Sequence, residues 1–166
     1  MFSVYLLTLK LVQLSGARST SIVEIAEKYI GNKGGEIFWH WMGFSSRVSW
    51  CGCFVSYCAN EAGYIESGIL PKSASCEASG KSSWVGWFKA RGLWRDPLGY
   101  EPRAGDIILF DWGGDGKADH VGIVEYADGG IVHTIEGNTS DTAARRTYSI
   151  TSPVIRGYGA PNYNLM

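Results

Sequence analysis

Hydrophobic positions along this chain follow two rules. In three separate stretches before about residue 100 they recur at three- and four-residue intervals, and after it at every second residue. The clearest helical stretch runs from Ser49 to Gly63. Phe54, Val55, Cys58, Ala59 and Ala62 make one apolar face, Ser49 reads as the N-cap and Gly63 as the stop. Upstream, Ser21-Ile22-Val23-Glu24 has the form of a capping box, and Ile22, Ala26, Tyr29 and Ile30 predict a core-facing helix that Gly31 ends. Trp84, Trp87 and Phe88 fall at helical spacing in a short segment reaching Arg91, with core contact as their expected role. Residues 34–49 show no periodicity and read as a loop that delivers the chain to Cys51. Gly63 to Glu101 is otherwise irregular, an insertion expected to pack beside the central helix or to rim a cleft.

From Pro102 the pattern predicts five strands: Ile107 to Trp112, His120 to Tyr126, Gly130 to Asn138, Arg145 to Ile150 and Val154 to Tyr158. Gly- and Asp-rich turns at Asp111 to Gly116 and at Asp128-Gly129-Gly130 imply antiparallel hairpins. Helices first and strands afterwards predict an α+β fold.

Composition narrows the function classes. A chain of 166 residues, 45% hydrophobic and 19% charged, fits one globular domain. A net charge of -1 and the absence of any Lys/Arg run give no electrostatic footprint for nucleic acid. Seven Trp, nine Tyr and 22 Gly suit a loop-rich fold with a groove that stacks on ligands such as sugar rings. The apolar run Val4 to Val12 is too short to span a bilayer. It is an incomplete match to a signal peptide, since no basic residue precedes it and Lys10 interrupts it. Residues 1–18 are therefore an N-terminal extension, a leader or a docking segment, and 19–166 the functional domain. Four cysteines are too few for a disulfide scaffold, and their spacing lacks the paired form of a zinc site. In an exported protein, one bridge between Cys76 and either Cys53 or Cys58 is compatible with the sequence.

The candidate chemistry begins at Cys51. In the first turn of its helix, unpaired backbone N–H groups and the positive end of the dipole favour thiolate over thiol. Cys53, rotated roughly 200° away at about 100° per residue, and Cys58, on the core face, read as small buried residues. A cysteine nucleophile needs a base and a group to orient it. His120 opens a strand at a hairpin. In the next strand Val132, Thr134, Glu136 and Asn138 share one face, and Ile131, His133 and Ile135 the other. Pairing the two strands through the Asp128 turn brings Glu136 and Asn138 beside His120 and leaves His133 facing away. His40 reads as a surface or packing residue. Trp50, Trp94 and Trp112 are the candidate substrate contacts.

Four motifs, Trp50 to Val55, Pro102 to Ile108, Asp119 to Val124 and Ile135 to Thr139, together resemble the CHAP family of cysteine- and histidine-dependent amidohydrolases/peptidases. Their order is the family's own, and Ile155 to Pro161 is similar to its closing strand. The resemblance runs from about Ile22 to Tyr163. It implies a papain-like fold in which the cysteine helix packs on a five- to six-stranded antiparallel sheet. It also implies Cys51 as nucleophile, His120 as general base and then acid, Glu136 orienting the imidazole, and Asn138 supporting it by a hydrogen bond. The implied substrate is peptidoglycan, cut as an amidase between muramic acid and L-alanine or as an endopeptidase in the stem or cross-bridge. The implied setting is extracellular or cell-wall directed, as a monomer with no cofactor. No metal is expected: Asp111, Asp115 and Asp119 lack the alternating ligand pattern of a calcium loop and read as a turn. Two rivals remain at this level. One is an NlpC/P60-type cysteine peptidase using His133 as third residue, and the other is a hydrolase-like module that binds cell wall without turnover.

Overall fold

Four α-helical segments precede a six-stranded antiparallel sheet in this computed structural model, which describes residues 21–165. The extension expected over 1–18 lies outside the described residues. The helices are α1 (21–27), α2 (Glu36–Met42), α3 (Cys51–Glu61) and α4 (Trp84–Ala90). The strands are β1 (Trp94–Arg95), β2 (Ile107–Phe110), β3 (His120–Asp128), β4 (Ile131–Thr139), β5 (Thr142–Ser149) and β6 (Ile155–Gly159), in spatial order β1-β6-β2-β3-β4-β5. The expected α+β architecture and the five expected strands are present.

Helix α3 is buried on nearly every side, from Cys51 through Ser56 and again at Cys58 and Ala59, as befits a helix enclosed by other elements. Its N-cap is Trp50 rather than Ser49, and no side chain caps it. Gly63, at φ 76°, ends it as expected, its N–H donating to the Asn60 carbonyl. The loop expected before it contains α2. Gly35 and Gly43, at φ 62° and 106°, bound this seven-residue helix, which is too short to register as a period. Phe38 of α2 stacks on Trp50 and meets Phe54 edge-on, at centroid distances of 5.5 and 5.2 Å. Helix α1 stops earlier than its apolar pattern suggested, leaving Ile30 36% exposed. The backbone there is drawn to β5 by hydrogen bonds from Gly31 N–H to the Ala143 carbonyl and from Ala143 N–H to the Asn32 carbonyl.

The sheet separates two cores. Ile107, Leu109, Val121, Ile123 and Ile135 belong to the larger one with α3, while Ile108, Phe110, Val124, Val132 and Tyr158 build a second one. Strand β1, only two residues long, escapes a periodicity argument and is held by pairing with Tyr158 and Gly159 of β6. Pro102 to Asp106 forms the turn into β2, with the Asp106 carboxylate accepting from Arg103 N–H at 2.8 Å and Tyr100 O–H at 2.7 Å.

The insertion after Gly63 packs beside α3 as a strap over Ser73–Glu77. Ser56 Oγ donates to the Ser73 carbonyl and accepts from Ser73 N–H, both at 2.9 Å. From the other side Trp84 Nε1–H donates to the Ser73 carbonyl, and the N–H groups of Trp84 and Val85 donate to the carbonyls of Ser75 and Cys76. Gly52 is where helix and strap touch, since a Cβ there would lie 2.5 Å from the Ala74 carbonyl oxygen. Gly52→Ala is accordingly expected to destabilise the protein by about 1–3 kcal/mol through overpacking. A thermal melt lowered by roughly 2–4 °C per kcal/mol checks it, and an unchanged melt would mean the strap yields freely.

Candidate active site

Cys51, His120 and Glu136 come from three elements that meet at one end of the sheet. Cys51 is the first residue of α3 and is 3% exposed. His120 is the first residue of β3, and Glu136 lies on β4. Pairing of Ile123 with Ile135, continued by one residue, sets Gly122 opposite Glu136. His120 then shares a face with Glu136, two residues along from Gly122. Gly122 makes the crossing feasible, because a Cβ there would stand 2.7 Å from Glu136 Cγ. Across that gap Glu136 Oε2 meets His120 Nε2 at 2.8 Å, with the carboxylate side chain 1% and the imidazole 12% exposed. Thr134 Oγ1–H donates to Glu136 Oε1 at 2.6 Å.

With Nε2 taken by the carboxylate, the ring nitrogen left to face Cys51 is Nδ1. Both shifts run toward thiolate and imidazolium. Cys51 is lowered well below an ordinary thiol by the hydrogen bond from Cys76, against burial, and further by the hydrogen bond and charge of His120 and by the Val121 backbone. Burial works against the charged imidazole, but Cys51 and Glu136 outweigh it and push His120 up to about 10. Cys53 is pushed up to about 11 by burial and by the Cys51 charge, and burial likewise raises Cys58. The distinction drawn between Cys51 and these two thus has an electrostatic basis.

Other expected site residues are distributed differently. Asn138, at φ 58° in the irregular end of β4, donates its Nδ2–H to Ser49 Oγ at 3.2 Å rather than to the imidazole. It therefore ties β4 to the entry of α3. Trp50 is fully buried, stacked on Phe38 with its Nε1–H on Asp141 at 3.2 Å, and offers no surface to substrate. Trp94 is half-buried and engaged by the Lys89 ammonium and Arg156 guanidinium. Trp112 is 51% exposed, stacked on Phe110, which in turn lies 5.7 Å from the His120 ring. His133 stacks on Tyr126 at 4.1 Å, away from the imidazole. His40 is exposed beside Glu36. Asp111 and Asp119 accept the N–H groups of their own loop, as turn residues do.

Three contributors escaped the sequence reading. Gly122 and Thr134 carried a signal in strand parity, one small and opposite Glu136, the other two residues before it on the same face. Cys76, with Sγ 4.0 Å from Cys51 Sγ, carried none, because only the path of the strap brings it there.

The sequence matches the CHAP domain family over residues 42–138. The chain belongs to that family, the cysteine- and histidine-dependent amidohydrolases/peptidases. A solved structure described as "The crystal structure of Ly7917 with the hydrolyzing product of MDP" is similar to it, with a TM-score of 0.52 and 20% identity. The likeness covers 86% of this chain and 62% of that one, so this chain spans less than two thirds of its neighbour. No curated protein matches.

Iodoacetamide applied to the reduced protein at about pH 7 is expected to alkylate Cys51 ahead of Cys53, Cys58 and Cys76. A lowered pKa keeps thiolate present on the acid side, so the Cys51 rate should hold as the pH falls to about 6. Peptide mass spectrometry reads both. Equal labelling of all four, rising together through the ordinary thiol range, would contradict an activated nucleophile.

Proposed function

We propose that this protein hydrolyses an amide bond of peptidoglycan by acyl transfer through Cys51, His120 and Glu136. The observation that carries the reading is the buried chain from Glu136 through His120 to a cysteine at a helix N-terminus. Membership of the CHAP domain family supports it. So does the description of the structural neighbour, which names a hydrolysis product in its crystal.

The Cys51 thiolate attacks the amide carbonyl. The first N–H groups of α3, which precede the first intrahelical bond from Phe54 N–H to the Trp50 carbonyl, include that of Cys51, which faces the developing oxyanion. His120 protonates the leaving amine from Nδ1 and then deprotonates the water that releases the acyl-enzyme. Glu136 on Nε2 holds the ring and offsets its charge. Asn138 acts as a positioning residue through Ser49. Trp112 is the platform for glycan or peptide. The bond cut lies in the stem or cross-bridge, the amidase position being the alternative. Action on the wall places the protein outside the cytoplasmic membrane. The site is complete within one chain, so a monomer suffices.

His120 Nε2 is filled by Glu136 while His133 rests on Tyr126, which favours Glu136 over the His133 arrangement of the NlpC/P60 type. Glu136→Ala is expected to lower kcat at least about tenfold, whereas His133→Ala leaves it within about twofold. The reverse ranking in steady-state assays would transfer the third role to His133. Sacculi incubated with the protein should release fragments that mass spectrometry identifies. New amino termini inside stem or bridge mean endopeptidase, and free stem peptides with intact N-terminal alanine mean amidase. If several wall types yield none while wild type and Cys51→Ala bind them alike, the protein is a wall-binding module and not a hydrolase.

A further inference from the structure

The sequence allowed a bridge from Cys76 to Cys53 or Cys58, and the fold directs Cys76 to neither. It sets Cys76 Sγ against Cys51 Sγ at 4.0 Å, with Cys51 3% and Cys76 8% exposed and all four cysteines free. The placement is built rather than incidental. Ser73 is clamped to Ser56 by two hydrogen bonds, the Cys76 carbonyl accepts from Val85 N–H, and Gly52 lets the strap lie directly on the helix. On the far side of Cys76, Glu77 Oε2 accepts from Ala118 N–H at 2.6 Å, two residues before His120. The strap thus joins the helix that carries Cys51 to the loop that delivers His120, with Cys76 between them.

We propose that Cys51 and Cys76 form an oxidative modification site, at which a hydroperoxide converts the nucleophile into a reversible Cys51–Cys76 disulfide that a dithiol reopens. In the first step the Cys51 sulfur attacks hydrogen peroxide. The S–O bond forms, the O–O bond breaks, and the departing hydroxide takes the proton of the His120 imidazolium to leave as water. In the second step Cys76 sulfur attacks the sulfenic sulfur. The S–S bond forms, the S–O bond breaks, and the hydroxide leaves as water with the Cys76 proton. Two sulfurs lose two electrons and the peroxide gains them. While Cys51 is a thiolate, its hydrogen bond is the largest cause holding the Cys76 proton in place. Oxidation of Cys51 removes that restraint just when Cys76 must react. Cys53 and Cys58, fully buried on other faces of α3, do not compete. The bridge occupies the nucleophile, so the bridged protein is inactive, and a sulfenic acid captured this way is spared further oxidation.

The inference rests on Cys51 being the reactive thiolate of the proposed hydrolysis, but its readout is the bond itself. Reduced full-length protein is exposed to hydrogen peroxide, free thiols are blocked, and a non-reducing digest is mapped by mass spectrometry. The expected product is a Cys51–Cys76 cross-linked peptide, with sacculus digestion lost in step with the bridge and regained on adding dithiothreitol. In Cys76→Ala, and in Cys76→Ser should the first fold poorly, Cys51 is expected to proceed to sulfinic and sulfonic acids that dithiothreitol does not reverse. Cys51 sulfinate without a bridge in wild type, a bridge to Cys53 or Cys58, or thiols unchanged by peroxide would each overturn the proposal. A bridge in a protein that digests no wall would sink the hydrolase reading and leave this one standing. Digestion without a bridge would do the opposite.

Discussion

Glu136 is 1% exposed, and a carboxylate at that depth is tolerable only when its oxygens are filled, because removing one partner of such a pair costs about 3–5 kcal/mol. Much of the site follows from meeting that demand. One oxygen takes Thr134 Oγ1–H and the other the His120 ring, and the nearby Tyr148 phenol is raised first by burial and then by the Glu136 charge. Gly122 leaves the space in which the carboxylate crosses its neighbouring strand. Satisfying the carboxylate also fixes the orientation of the ring: with Nε2 committed, Nδ1 faces the cysteine. Burial likewise opposes an isolated thiolate at Cys51. The His120 ring lies between them, paired with Glu136 on one nitrogen and facing Cys51 with the other, so the three side chains hold one another in place.

This arrangement requires the start of α3 and the start of β3 to keep a constant separation, and several independent ties maintain it. Asn138 binds Ser49 just before the helix, while Asp141 accepts from the Trp50 indole and pairs with Arg47. The strap adds a third tie, from Ser56 on α3 through Cys76 to the loop before His120, where Arg156 also reaches both the Gly116 carbonyl and Glu77. The region with least sequence pattern therefore does much of the mechanical work at the site.

Environment, more than spacing, separates the four cysteines. Cys53 and Cys58 are on the same helix as Cys51, yet burial without a cationic partner raises both. Cys51 alone combines a helix N-terminus, an imidazolium and a neighbouring S–H donor. The same neighbour that favours the thiolate also lies where a second sulfur can close on it.

Local pattern was enough to establish the α+β class, α3 with its glycine stop, the core role of α4 and five of the six strands, because each rests on periodicities of 3.6 or 2 over several residues. Parity within one strand was also enough to place Glu136 with His120 and to turn His133 away, since a pleated strand leaves a side chain two choices of face. The sequence could not decide α2 or β1, which are shorter than the period needed to reveal them. It set Trp50 as a substrate contact, where aromatic packing against Phe38 buries it, and Asn138 on the imidazole, where a positive φ swings it to Ser49. Above all it could not show Cys76 against Cys51. That contact joins residues 25 apart through an irregular strap, and its position depends on a clamp of buried serines and on one glycine that admits the backbone, contacts that exist only once the chain has folded.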